Sequence, residues 1–512
     1  MAETKREIER KYEATEKAGL PDLTRARGVS AVLDRGVAEL DAVYYDTADL
    51  RLAADSLTLR RRTGGEDAGW HLKFPVASGI RDEIRAPLAD TLPTPLARLL
   101  RSRIRDEDVV PVVRLRSSRD VRHLVDEEGT LVAEVSVDTV HAERLTESGG
   151  ETSWTEIEVE LADGADPTVL DAVEKRLKKA GVRPSASASK LARALAETTD
   201  PDAGSAGGAH DAVFRPGEDT AGGRVLAYVE EQIDAIIALD PAVRRDLPDS
   251  VHQMRVATRR LRSAFKTYRK VLDRTVTDPI GEELKWLAGE LGVARDQEVL
   301  LDRLRGRIEE LPRTLLLGPV RSRLRIWNAA HGGGARRTAL AALDSARHLA
   351  LLSALDALLT DPPLLKDATK DAPPVFAKAV LKDYDRLAGR VDHALALPAG
   401  HDRDLAMHEA RKAAKRARYA AEAATPTLGK PAKRFAKRMK SVQTVLGDHQ
   451  DSVVAREALR TLAVQAHAAG ESAFTWGLLY GQEEAAGADR EREFPQVWER
   501  ASAPKPRAAL SH

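Results

Sequence analysis

Through most of residues 1–200 apolar and polar positions alternate with a period of two, as in strands that bury one face. Glu7–Tyr12, Val43–Asp46, Thr58–Arg62, Trp70–Phe74, Val112–Arg116, Thr130–Val137 and Thr155–Leu161 read this way, while Pro167–Ala180 and Ala188–Thr198 read as short helices. From residue 223 onward the period is helical, in a sequence rich in Ala, Leu, Arg and Glu and broken at Pro or Gly. Between the two, Thr198–Gly223 is dominated by Gly, Ala, Asp and Pro and offers little to bury, which is linker composition. The pattern predicts a multidomain β plus all-α chain: a β domain over 1–200, a flexible linker over 201–222 and a helical domain over 223–500. A soft stretch, Thr360–Pro374, holds Pro362, Pro363, Pro373 and Pro374 and divides the helical part into about 223–360 and 375–500.

The helical part repeats itself. His252-Gln-Met-Arg255-Val-Ala-Thr-Arg259-Arg260-Leu-Arg262 matches His408-Glu-Ala-Arg411-Lys412-Ala-Ala-Lys415-Arg416-Ala-Arg418. Further on, Leu291-Gly292-Val-Ala-Arg295-Asp296 matches Leu446-Gly447-Asp-His-Gln450-Asp451. Two matched blocks at nearly the same offset predict two copies of one helical unit, each a four-helix bundle.

Charge sharpens the division. The 512 residues hold 80 Lys+Arg and 80 Asp+Glu, a net charge of zero that argues against a generally basic chain. Residues 1–200, however, hold 31 basic and 38 acidic side chains, and residues 201–512 hold 49 and 42. The absence of cysteine excludes disulfides, thiolate metal sites and cysteine nucleophiles. No run approaches the roughly 18 apolar residues of a membrane span, and Met1–Tyr12 lacks the apolar core of a signal peptide. The expectation is a cytoplasmic protein with no membrane partner.

In a strand, residues i, i+2 and i+4 share a face. Glu7, Glu9 and Lys11 do so, as do Arg60 and Arg62, His71 and Lys73, Arg81, Glu83 and Arg85, Arg114 and Arg116, and Glu156, Glu158 and Glu160. A sheet with one solvated face accounts for such charges. So does a closed barrel with a charged interior, which is costly unless it encloses a charged ligand and a metal. Carboxylates suit Mg²⁺ or Mn²⁺, and clustered Arg and Lys suit a phosphate chain. No Walker-type loop occurs, so a P-loop mechanism is excluded.

Glu7-Ile-Glu9-Arg-Lys11 resembles the ExExK opening of the CYTH superfamily, the triphosphate tunnel metalloenzymes. The resemblance continues in order through Tyr44-Tyr45-Asp46-Thr47, Leu59-Arg60-Arg61-Arg62, Trp70-His71-Leu72-Lys73, Arg81-Asp82-Glu83, Arg119, Asp138, Glu156-Ile157-Glu158 and Ser189-Lys190, covering residues 1–200. It implies an eight-stranded antiparallel tunnel with flanking helices that takes a triphosphate and one or two divalent cations. By the match Glu7, Glu9, Glu156 and Glu158, with Glu83 and Asp138, would hold Mg²⁺ or Mn²⁺. Lys11, Arg60, Arg62, Lys73, Arg81, Arg119 and Lys190 would grip phosphate oxygens, with Arg114 and Arg116 as neighbouring candidates. Glu7, Glu9, Lys11 and Lys73 are the catalytic candidates. Arg85 stands where many relatives carry a third acidic residue.

On a helix, offsets of 0, 3, 7 and 10 fall within about 80°. His252, Arg255, Arg259 and Arg262 therefore form one stripe and His408, Arg411, Lys415 and Arg418 another. Solvation accounts for one basic stripe; a repeated one with histidine in register points to a polyanion. Only 4% of residues are aromatic, so platforms for stacking nucleobases are scarce and nucleic acid is disfavoured. The two blocks resemble those of the CHAD domain, the conserved histidine α-helical domain, over roughly residues 220–500. The resemblance implies two pseudo-symmetric helical bundles around a groove that binds inorganic polyphosphate. By the match the binding residues are His252, Arg255, Arg259, Arg260, Arg262, His408, Arg411, Lys412, Lys415, Arg416 and Arg418. The expected function is a metal-dependent inorganic triphosphatase tethered to polyphosphate, with polyphosphate granules as an expected location. A thiamine triphosphatase, an adenylyl cyclase and a non-catalytic polyphosphate scaffold remain alternatives.

Overall fold

The structure is a computed structural model and describes residues 3–14, 20–65, 67–146, 149–198, 216–332 and 334–510. The chain divides into two compact units, residues 1–211 and 212–512. Of the predicted linker, residues 201–215 lie outside the described residues.

The first unit runs β1 (Glu3–Ala14), β2 (Ala31–Asp46), α1 (Arg51–Ala54), β3 (Thr58–Thr63), β4 (Gly69–Ala77), β5 (Ile80–Ala86), α2 (Thr94–Ile104), β6 (Val110–Val125), β7 (Leu131–Arg144), β8 (Glu151–Leu161), α3 (Thr168–Lys179) and α4 (Lys190–Glu197), with a two-residue strand at Arg183–Pro184 beside β1. The strands follow the order β5-β4-β3-β2-β6-β7-β8-β1, and β1 also pairs antiparallel with β5. The sheet is thus an eight-stranded antiparallel barrel, and closure removes the unpaired edges that an open sheet exposes.

Strand alternation decides what lies inside. Ile157, Val159 and Leu161 of β8 and Tyr12 of β1 face outward and pack under Val169, Leu170, Val173 and Leu177 of α3. Leu59, Leu72 and Ile84 face outward on the other side and are covered by Leu52 of α1 and by Leu96 and Leu100 of α2. The inward positions are apolar at one end, where Ala42, Tyr44, Leu115, Val140, Ala142 and Trp154 form a cluster with Leu191 and Ala194 of α4. Helix α4 is started by Ser189, whose side chain accepts from Ala192 N. Much of the rest of the interior is charged.

The second unit is helical: α5 (Ala221–Arg244), α6 (Ser250–Thr267), α7 (Arg274–Glu290), α8 (Gly292–Glu310), α9 (Val320–Gly332), α10 (Ala335–Asp344), α11 (Ala346–Thr360), α12 (Ala372–Ala396), α13 (His401–Ala423), α14 (Thr425–Leu428), α15 (Lys430–Ala468), α16 (Phe474–Ala501) and α17 (Pro504–Ala508). The histidine blocks lie on α6 and α13. The Leu-Gly block of the first copy joins α7 to α8, whereas that of the second runs uninterrupted through the 39-residue α15. The two copies share their cores. One core gathers α5, α6 and α7 with α12, α13 and the first half of α15. The other gathers α8 and α9 with the second half of α15 and the start of α16.

Candidate active site and anion-binding groove

The charged interior of the barrel is a cavity of about 850 Å³, lined among others by Glu7, Glu9, Lys11, Arg60, Arg62, Lys73, Arg81, Arg119, Glu158 and Lys190. Register brings them together from distant strands. Glu7 lies opposite Arg81 across the β1–β5 pair, Lys11 opposite Glu158 across β1–β8, and Arg119 opposite Asp138 across β6–β7.

Each carboxylate is held by cations. Lys73 donates to Glu7 Oε2 at 2.5 Å. Lys11 donates to Glu158 and lies 3.4 Å from Glu9 Oε1. Arg119 donates from Nε to Asp138 Oδ1 at 2.7 Å, and from Nη2 to Asp138 Oδ2 and Glu158 Oε2, both at 2.6 Å. Lys190 Nζ sits 2.8 Å from Asp138 Oδ2, 2.7 Å from Glu156 Oε1 and 2.6 Å from Glu158 Oε1. Burial alone would neutralise these acids. Against it, Lys11, Lys190 and Arg119 hold Glu158 well below the usual carboxylate range. Burial likewise opposes charge on Lys190, yet Asp138, Glu158 and Glu156 raise it above an ordinary lysine. Glu7 goes the other way, because burial and the neighbouring charge of Glu83 outweigh Lys73.

Glu158 lines this cavity, and with the buried Asp138 and Glu156 it could hold a divalent cation. Asp138, Glu156 and Glu158 each offer an oxygen, all within 4.8 Å of one another. Trp154 Nε1 donates to Glu156 Oε2 at 2.6 Å, while the buried Oε1 accepts no hydrogen bond although Lys190 is in ion-pair range. An all-oxygen donor set with one such oxygen suits Mg²⁺ or Mn²⁺.

Two expectations need correction. Arg114 and Arg116 do not reach the cavity. Even-numbered positions of this part of β6 face outward, so Arg114 forms a two-pronged pair with Asp41 and Arg116 is exposed. Arg119, an odd-numbered position, is the one turned inward. Glu83 lies outside the Asp138–Glu156–Glu158 cluster. It is fully buried, with His71 Nδ1 2.8 Å from Oε1, Arg85 donating to Oε2, and Lys73 and Arg60 at 3.5 and 3.7 Å. It orients the cations of β3 to β5. Tyr44 was not among the candidates, yet it lines the cavity with its hydroxyl 3.4 Å from Arg60 Nη1. Its place on a recognisable Tyr-Tyr-Asp-Thr run was the available signal.

In the helical unit the repeat has a structural counterpart. Arg255 pairs with Asp296 at 3.0 and 3.2 Å, and Arg411 lies 3.6 Å from Asp451. The histidine block of each copy is thus tied to the Leu-Gly block of the same copy. The glycines make room: a Cβ at Gly292 would meet Arg255 Nη2 at 3.0 Å, and one at Gly447 would meet Arg411 Nη2 at 3.6 Å. Arg259, Lys415, Arg411 and Arg418 gather between α6 and α13 with few acids. Burial, followed by Arg411 and Arg259, pushes the Lys415 ammonium down to about 7. Burial and Arg255 lower Arg259 in the same way. His408 Nδ1 is 2.6 Å from Gln450 Oε1, and His252 is exposed at the corresponding place on α6.

Arg260 and Arg416 have a different role from the one expected. Arg260 donates to Glu422 Oε2 of α13 at 3.1 Å, and Arg416 donates to the Lys266 carbonyl of α6 at 2.7 Å and pairs with Asp383 at 2.9 Å. Lys266 and Glu422 each lie fourteen residues past the histidine of their copy. These two arginines fasten the copies to each other. Lys412 is exposed and pairs with Glu409 on its own helix. Arg262 is half-buried, and its Nε has no hydrogen-bond partner. No helix among the described residues is long and apolar enough to cross a membrane.

A CYTH domain family model matches residues 5–195 and a CHAD domain family model matches residues 227–460. Two uncharacterised proteins of Mycobacterium tuberculosis, Rv2226 and MT2285, are each 38% identical to this chain over 507 residues, spanning 95% of it and 94% of the relative. Among solved structures, PptA from Streptomyces chartreusis is 22% identical and covers 55% of this chain and 99% of its own, with a TM-score of 0.47. The CHAD domain from the plant Ricinus communis is 26% identical and covers 56% and 92%, with a TM-score of 0.43.

Proposed function

Because this chain belongs to the proteins that join a CYTH domain, a tunnel enzyme domain, to a CHAD domain, we propose that it is a metal-dependent hydrolase of inorganic triphosphate that also holds inorganic polyphosphate. The observation that carries the reading is the single cavity in which Glu9, Glu158 and their acidic neighbours meet Lys11, Arg60, Arg62, Lys73, Arg81, Arg119 and Lys190. That combination matches a substrate with many anionic oxygens and no demand for a nucleobase pocket.

The chain's own residues divide the work. Arg60, Arg62 and Arg81 grip phosphate oxygens from one side, and Lys11, Arg119 and Lys190 from the other. Glu9, Glu158, Glu156 and Asp138 would hold Mg²⁺ or Mn²⁺, which supplies Lewis-acid neutralisation of the phosphate when bound. Lys73, fixed by Glu7, stabilises the charge that builds up on the transferred phosphoryl group. A carboxylate of the inner set orients the attacking water. The α6–α13 cations, lacking enough acids to neutralise them, bind polyphosphate without a metal.

Incubation with Mg²⁺ or Mn²⁺ and, in turn, triphosphate, thiamine triphosphate, ATP and long-chain polyphosphate tests the reading, with products resolved by phosphorus NMR. Phosphate and pyrophosphate from triphosphate are expected. Cyclic AMP from ATP would replace the reading with a cyclase, and no turnover of any substrate would leave a scaffold.

A further inference from the structure

The charges inside the barrel are unevenly distributed. On the wall formed by β7, β8, α4 and the middle of β1, four carboxylates (Glu9, Asp138, Glu156, Glu158) meet three cations (Lys11, Arg119, Lys190). On the wall formed by β3 to β5 the balance is reversed. There Glu7, Glu83 and Asp67 meet Arg60, Arg62, Lys73, Arg81 and Arg85. One wall is short of positive charge and the other has a surplus.

Arg85 enlarges the surplus and stands among the carboxylates of that wall. Its Nε donates to Glu83 Oε2, and its Nη2 lies 3.9 Å from both Glu7 Oε1 and Asp67 Oδ2. A guanidinium at the meeting point of three carboxylates is a permanent cation among them, since it does not lose its proton. A divalent ion entering there would face a fixed cation at close range and carboxylates already engaged. The other wall also holds a fixed guanidinium, Arg119, against Asp138 and Glu158, but its carboxylates outnumber its cations, so an added cation relieves a shortage there.

We infer that the barrel takes a single divalent ion, on the Glu9–Glu158 wall, and that Arg85 is built in as the cation of the opposite wall, where it prevents a second ion from binding. The inference rests on the metal-dependent reading above and specifies its stoichiometry. It also gives the cavity a direction, with the ion on one wall and an arginine-rich phosphate grip on the other.

The test is Mn²⁺ binding to the full chain stripped with EDTA, with free Mn²⁺ counted by EPR and the bound signal inspected for dipolar coupling between neighbouring ions. The parent is expected to bind one barrel ion, lost in Glu158→Gln, with no coupled pair. Arg85→Glu is expected to bind one ion more and to show a coupled pair. Arg85→Gln, which removes the fixed charge without adding an acid, is expected to gain the second ion more weakly and serves if Arg85→Glu does not fold. A coupled pair in the parent overturns the inference, as does a folded Arg85 variant with the parental count. Failure to find any ion sensitive to Glu158→Gln would instead remove the metal-dependent reading on which it stands.

Discussion

Lys190 Nζ lies 2.8 Å from Asp138 Oδ2 while also pairing with Glu156 and Glu158, so one ammonium at the first turn of α4 is shared by three carboxylates of β7 and β8. Taking that charge away leaves buried acids without their common partner, a loss that costs about 3–5 kcal/mol in comparable pairs. Lys190→Met should therefore destabilise the barrel in EDTA by about 3 kcal/mol. With Mn²⁺ present the loss should shrink, because the ion takes over the same carboxylates. Denaturant unfolding of the variant with and without Mn²⁺ measures both; equal losses in the two conditions would exclude Asp138, Glu156 and Glu158 as metal ligands.

Lys73 and Glu7 form the contact that best separates positioning from bulk charge. Lys73→Ala should reduce phosphate release from triphosphate by about 10²-fold or more, the usual effect of losing one charge-stabilising donor. Arg114→Ala removes a cation of equal charge from the outer face, where it pairs with Asp41, and should leave turnover unchanged. Steady-state phosphate release by the two variants decides the matter. A comparable loss in both would mean that net charge, and not the cavity, carries the activity.

Much of the barrel could be read from the sequence because alternation is a local property. Glu7, Glu9 and Lys11 must share a face of any strand that contains them, and they do. What alternation cannot supply is which face is inward. Arg114, Arg116 and Arg119 lie on one strand, and only the closed barrel with Leu115 inside shows that the odd-numbered position enters the cavity. Glu83 is a related case. Its strand position is inward and Arg85 shares its face, but the packing of His71 and Lys73 around it depends on the neighbouring strand. The α2 helix is not predicted although Leu96, Leu99 and Leu100 carry a helical spacing, because an eleven-residue helix between strands leaves a short periodic signal. In the helical unit the repeat was plain, and the tie from Arg255 to Asp296 follows the two matched blocks. The shared core was not legible, since which copy a buried leucine packs against is not a local property.

The two glycines of the repeat predict opposite responses to one methyl group. Gly447 lies inside α15, and a Cβ there would make ordinary contact with Arg411 at 3.6 Å. Gly447→Ala should stabilise the helical unit by about 0.5–1 kcal/mol through helix propensity. At Gly292 the added carbon would come within 3.0 Å of Arg255, which is buried and held to Asp296. Gly292→Ala should yield none of that gain and should weaken polyphosphate retention by displacing Arg255. Unfolding midpoints and retention on immobilised polyphosphate check both halves. Equal stabilisation by the two substitutions would show that Arg255 moves freely and is not held in place for binding.

Lys415 makes polyphosphate binding depend on pH in a direction that can be worked out. The groups around it are Arg411 and Arg418 on its own helix, Arg259 on α6 and Asp451 on α15, and burial together with the cations lowers it to about 7. An anion in the groove favours the charged ammonium, so the complex holds this proton to higher pH than the free protein does. Between the two values binding takes up a proton, and by linkage affinity falls by up to about tenfold per pH unit. Affinity should therefore be fully present below pH 7 and decline as the pH rises above it. His408 adds little there, because burial and then Lys412 lower it from the ordinary histidine value. Lys415→Arg keeps its charge throughout, and should bind with nearly constant affinity from pH 6.5 to 9 at fixed ionic strength, on the order of ten times tighter than the parent near pH 8.5. Isothermal titration with polyphosphate in buffers of different ionisation heat reads the proton uptake directly. Parallel pH profiles for the two proteins would place Lys415 outside the groove.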